Sequence, residues 1–168
     1  VDPPMSDPDH TAVYAAELAA FDGTDLEEIQ PFEMIQGALE RVVSGSWWPG
    51  GVVDVRQARS DASSSTTRCA VRKQGSAATI RLSAPQMTLA TAAHELAHAL
   101  AGAGRGHDAV YRRAYLDVVR VITNLDTTDR RHDIHVSQLA DAFARAGLRV
   151  GERAWQAPPD AIGSAFAL

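Results

Sequence analysis

Two histidines four residues apart bracket a glutamate in His94-Glu95-Leu96-Ala97-His98. On a helix, residues at this spacing share one side a single turn apart, so both imidazoles can reach the same metal ion. Glu95 is turned ~100° from His94 and so faces the water such an ion would carry rather than the ion itself. That arrangement suits metal-assisted hydrolysis, in which the ion polarises a carbonyl and a carboxylate acts as general base. Catalytic zinc takes three protein ligands and keeps one position open, so a third ligand is required. His107 is the candidate, because Gly102, Gly104 and Gly106 separate it from His98 and glycine accepts positive φ without penalty, permitting a sharp reversal. Asp108 and Asp117 are alternative third ligands, and Asp108 could equally orient an imidazole from behind.

Plainer roles compete with these. A motif with three fixed positions arises by chance in about one chain per hundred of this size, and His107 could simply start a helix. Tyr111 and Tyr115 invite a role as donors to a transition-state oxyanion, but both lie on an apolar stripe, which favours core packing. His132 and His135 form a second pair, in His132-Asp133-Ile134-His135. They could bind metal or, through His132, assist a transition state; a surface loop is the simpler reading. His10 gets no assignment.

Positioning these groups falls to elements readable from periodicity. Helices are expected at about 9–21, with Val13, Ala16, Leu18 and Phe21 as its apolar positions, and at about 31–43, with Met34, Ile35, Ala38, Leu39 and Val42. Three β-rich runs follow at 52–55, 66–73 and 77–82, the last two joined by a hairpin connection at Gln74-Gly75-Ser76. Ser83 and Gln86 suggest a capping box opening the helix that carries the motif to about Ala101. Further helices are expected at 107–123 and 136–146, followed by an irregular tail from Gly151 in which Trp155, Ile162 and Phe166 could dock on the body. The expectation is an α+β, zincin-like fold: a small, about three-stranded sheet packed with about five helices, the histidine pair on a central one. Residues 1–8 are expected to be disordered, 9–150 to form a single domain and 151–168 to be its tail.

Composition bounds the rest. In 168 residues there are six histidines and one cysteine, Cys69. The lone cysteine excludes a disulfide framework and zinc sites built from several thiolates, and Cys69 reads as a small core residue. The net charge is −5 and Lys73 is the only lysine; nucleic-acid binding needs a basic footprint, so none is expected. The Arg112-Arg113 and Arg130-Arg131 pairs read as solvated surface. No stretch approaches the ~20 apolar residues of a membrane span, and the start Val1–Asp7 lacks the pattern of a secretory leader, so a cytoplasmic location is expected.

The run His94–His98, then Gly106-His107, then Tyr111-Arg112-Arg113-Ala114-Tyr115-Leu116, together with Trp47-Trp48 ahead of the strands, resembles actinobacterial metallohydrolases of the HExxH type. More distantly, residues 82–119 are similar to SprT-like zincin metalloproteases. The resemblance implies one zinc ion on His94, His98 and His107, Glu95 as general base, and a strand ahead of the helix, 77–82, lining a cleft for a peptide or protein substrate. This chain has neither the cysteine-rich ribbon nor the basic segments of many SprT-like proteins. It also lacks the HExxHxxGxxH spacing of metzincins. A zinc-dependent hydrolase, most readily a metallopeptidase, is therefore expected. The alternatives are a non-catalytic binding protein with structural zinc, its fourth position filled by Asp108, Asp117 or His132, and a DNA-associated protease of the SprT type.

Overall fold

The computed structural model describes residues 6–72, 75–126 and 133–159. Ten elements follow in order. Helix α1 (His10–Phe21) and a short 3-10 turn (Asp25–Glu27) lead to α2 (Phe32–Ser44). Strands β1 (Val52–Gln57), β2 (Thr66–Arg72) and β3 (Gly75–Leu82) come next. A second 3-10 turn (Ala84–Gln86) precedes α3 (Leu89–Ala101), α4 (Ala109–Ile122) and α5 (Ile134–Arg145). The architecture is α+β, with five helices and a mixed three-stranded sheet, as expected.

The sheet runs β1-β3-β2, with β1 parallel and β2 antiparallel to β3. β3 is thus the central strand. Its alternate residues Ala78, Ile80 and Leu82 are buried, the period-2 pattern of a strand with one face on a core. β2 is an edge strand packed against α3. The strands beside the motif helix are therefore β2 as well as the expected 77–82, and of these two only β2 lies at an edge of the sheet among the described residues.

α3 is the centre of the molecule. From Ala92 to Ala97 every residue is buried, because β2 and β3 lie on one side and α4 on another. Its start differs from the expected capping box. Ser83 opens only the 3-10 turn, and Gln86 turns aside to accept from the Ser65 backbone N–H at 2.6 Å. Thr88 caps the helix instead, its hydroxyl accepting from Thr91 N at 3.1 Å. At the other end Gly102, Gly104 and Gly106 have φ of 96°, 79° and 55°, so the glycine-dependent reversal does occur and returns α4 along α3.

α1 packs on α5 and α2 on β1. The buried positions of α1 are Val13, Ala16, Glu17, Ala20 and Phe21. Leu18, expected inward, is 61% exposed, and the carboxylate of Glu17 takes the inward place. Met34 of α2 is likewise exposed, while Ile35, Leu39 and Val42 form the buried stripe. The segment after α5 docks through side chains: Trp47 Nε1 donates to Gln156 O at 2.8 Å, and Arg153 and Trp155 both reach Asp117. Ile162 and Phe166 lie outside the described residues. No helix among the described residues is long and apolar enough to cross a membrane.

Candidate metal centre

His94 and His98 project from α3, and the glycine reversal delivers His107 just ahead of α4. One ring nitrogen of each falls within 4.8 Å of the others, a group that could hold a metal ion. His94 and His107 are buried and His98 nearly so. The shortest approach is Nε2 of His94 to Nε2 of His107, at 3.2 Å.

What stands behind the two rings decides their tautomers. Nδ1 of His94 meets Glu17 Oε2 at 3.0 Å, and Nδ1 of His107 meets Asp7 Oδ2 at 2.5 Å. An ionised carboxylate can only accept, so each Nδ1 carries a proton, and in a neutral ring Nε2 then keeps its lone pair. At 3.2 Å the two Nε2 atoms can share a proton when one ring is charged, or a metal ion when both rings are neutral. Glu17 is fixed in turn by the Tyr115 hydroxyl, which donates to Oε1 at 2.6 Å. Asp7 also accepts from the backbone N–H of His107 at 3.2 Å. Arg112, expected at the solvated surface, is buried instead and ties the same segment down by donating to Asp9 at 2.8 Å and to His107 O at 2.7 Å; Arg130 and Arg131 lie outside the described residues.

Electrostatics follows from this crowding. Burial pushes His98 down to about 3, helped by the positive charge its histidine neighbours can carry, so it stays neutral with a lone pair to offer. Burial likewise lowers His107 despite the bond to Asp7. For His94 burial acts in the same sense but is outweighed by Glu17 and the charges of Glu95 and Asp7, so its proton affinity is raised. Burial would raise Asp7, yet its bonds to His107 hold it below the usual carboxylate value.

Glu95 lies beside the histidines, with Thr67 Oγ1 of β2 2.6 Å from its Oε2. Burial raises its pKa, against the opposing effects of His94 and Thr67. A cavity of about 390 Å³ opens here, lined by Glu95, His98, Tyr14, Thr67, Cys69 and Gly102 among others. Cys69 is thus a half-buried wall residue near this cavity rather than core. Tyr14 comes from α1, its ring 5.0 Å from that of His94 and 5.4 Å from that of His107. Burial and the charges of Glu95, Glu17 and Asp7 push its phenol up to about 12.

The other residues singled out from sequence have different partners. Asp108 caps α4 by accepting from Tyr111 N at 2.9 Å, and also meets Arg105. Asp117 is buried under Arg153 and Trp155, at 2.7 and 2.9 Å. Neither belongs to the histidine group. Tyr111 and Tyr115 are fully buried. Tyr111 stacks on His98 at 4.3 Å and donates to His94 O at 3.1 Å, while Tyr115 serves Glu17. Their rings brace the site and their hydroxyls are committed. His135 begins α5 beside Phe21 and Asp25, apart from the cluster; His132 lies outside the described residues. Sequence reasoning missed Asp7, Tyr14, Glu17 and Thr67. Of these only Glu17 left a signal, a carboxylate in phase with the apolar positions of α1. Residues 1–5 of the segment expected to be disordered are outside the described residues, whereas its Asp7 sits against His107.

Compared with known proteins, the chain matches no family model, and no curated protein or solved structure shows significant similarity to it.

Proposed function

We propose that the protein is a zinc-dependent hydrolase, most readily a metallopeptidase, with His94, His98 and His107 as metal ligands and Glu95 as general base. The observation that carries this is the pair of Nε2 atoms 3.2 Å apart with both Nδ1 atoms bound to carboxylates. Zinc–imidazole bonds are about 2.0–2.1 Å long, so neighbouring donors of a tetrahedral zinc lie about 3.3–3.4 Å apart. The spacing of that pair fits, burial favours the neutral form of His98 and His107, and each supporting carboxylate occupies the place that fixes a metal-binding tautomer.

Bound zinc would supply Lewis acidity, polarising a carbonyl and acidifying water. The chain's own groups do the rest. Glu95, anchored by Thr67 through one oxygen, takes a proton from the attacking water and passes it to the departing amine. Its raised proton affinity brings it nearer to both tasks. β2, the open-edged strand whose Thr67 and Cys69 line the cavity, is the wall along which an extended peptide would lie. Of the three residues that could close a fourth position, Asp108 and Asp117 are engaged elsewhere and His132 lies outside the described residues; the cavity beside His98 and Glu95 supports an open ligand position over structural zinc. The HExxH spacing of His94, Glu95 and His98 on one helix points the same way.

The test is zinc content together with peptide-library cleavage. The purified chain should carry one zinc, and replacing His94 and His98 by alanine should remove it. Glu95→Gln should keep the zinc but lose roughly 10²–10⁴-fold in turnover. A wild-type chain that takes up no zinc, or a Glu95→Gln variant that cleaves at the wild-type rate, refutes the proposal.

A further inference from the structure

We propose that Tyr14 is a further catalytic residue of this site, its phenol donating a hydrogen bond to the oxyanion formed when the substrate carbonyl is attacked. The inference rests on the hydrolase reading above. α1 carries Tyr14 and Glu17 three residues apart, and residues at that spacing are neighbours on a helix surface. Glu17 is bonded to His94 at 3.0 Å, so the helix is fixed relative to the metal ligands and Tyr14 is fixed with it. The Tyr14 ring packs 5.0 Å from His94 and 5.4 Å from His107, and the residue lines the same cavity as Glu95 and His98.

The hydroxyl is also uncommitted. Buried tyrosines normally give their O–H to a partner, as Tyr111 and Tyr115 do here. Tyr14 is 42% exposed, and among the described residues nothing hydrogen-bonds its hydroxyl. A cavity-lining residue whose ring packs on two of the histidines and whose O–H makes no other bond meets the requirement for stabilising charge that develops during reaction: a donor positioned beforehand, at little cost of reorganisation. Tyr111 and Tyr115, the tyrosines that sequence position brings forward, cannot serve without breaking the bonds they already make.

The experiment compares the zinc-loaded wild type with Tyr14→Phe, using acetohydroxamate as an anionic probe whose oxygens imitate the attacked carbonyl. Zinc affinity is measured first and acetohydroxamate affinity second, both by calorimetry, with circular dichroism to confirm folding. A hydrogen bond to a charged acceptor corresponds to roughly tenfold or more in affinity, so acetohydroxamate should bind Tyr14→Phe at least about tenfold more weakly while zinc affinity stays within about twofold. On a cleaved peptide, kcat should fall with KM unchanged, as for an interaction made only in the transition state. Equal acetohydroxamate affinity in both proteins overturns the inference. So does a loss of zinc affinity in Tyr14→Phe without the probe, which would make the phenol a ligand. A wild type that takes up no zinc fails the hydrolase reading itself, and that result is read before any variant is compared.

Discussion

Replacing Glu17 by glutamine tests whether the buried carboxylate sets the chemistry of His94. Glu17 is 8% exposed and accepts twice, from His94 Nδ1 at 3.0 Å and from the Tyr115 hydroxyl at 2.6 Å. Glutamine keeps the shape but has one accepting atom where glutamate has two. If its oxygen faces Tyr115, its NH₂ faces His94; Nδ1 must then accept, and the proton moves to Nε2, where the metal should bind. If its oxygen faces His94, the tautomer survives but the NH₂ meets the Tyr115 hydroxyl and the negative charge behind the ligand is gone. Either arrangement weakens metal binding. Loss of such an outer partner costs about 10–100-fold in affinity, which is about 1.4–2.7 kcal/mol. The assay is zinc affinity by competition with a chromogenic chelator, with chemical denaturation of the metal-free proteins alongside. Metal-free stability should change less, by about 1 kcal/mol, since both neighbours can still find a partner. Zinc affinity within twofold of wild type would refute the reasoning that Glu17 fixes the His94 tautomer.

Two further substitutions separate the supports of the site from those of the fold. Asp117→Ala removes a buried acceptor of Arg153 and Trp155; Arg153 is about a third exposed, so the expected loss is about 2–3 kcal/mol in urea unfolding, with zinc affinity unchanged because Asp117 is not in the histidine group. Gly106→Ala forces a side chain onto φ 55° and sets its Cβ 2.8 Å from Asp7 Cγ. It should cost about 1–2 kcal/mol from backbone conformation, measured by the same unfolding. Displacing Asp7 from His107 should also weaken zinc binding by roughly tenfold.

The part of the site carried by one helix and its exit loop was readable, because helical spacing alone fixes how His94, Glu95 and His98 lie relative to one another. His107 could be added from the glycines, whose positive φ values are a local property of the chain. The α+β class followed from hydrophobic periodicity in the same local way. Sheet order did not. The parallel pairing of β1 with β3 depends on packing between segments, and so did the finding that the open edge beside the motif helix belongs to β2. In α1, counting Leu18 as inward hid the more informative residue. Apolar positions 13, 16, 20 and 21 define a stripe that runs through Glu17, and a carboxylate there must find a partner or lose its charge.

The carboxylates behind the histidines show why the remainder was hidden. His94 draws Glu17 from 77 residues away, and His107 draws Asp7 from 100 residues away. No spacing rule links such positions. Only a conflict between residue type and burial can betray them, and the two differ in how much conflict they carry. Glu17 sits where an apolar side chain belongs, so its sequence context is anomalous. Asp7 lies in a Pro- and Asp-rich run where an aspartate is unremarkable, and nothing before the fold distinguishes it from its neighbours. Yet Asp7 makes two hydrogen bonds to His107, and the lack of a side chain at Gly106 leaves its carboxylate room. The N-terminal segment and α1 thus supply the supporting half of a candidate metal centre whose histidines lie on α3 and the loop after it. A truncation that looks harmless by composition would therefore remove the acceptor that orients His107.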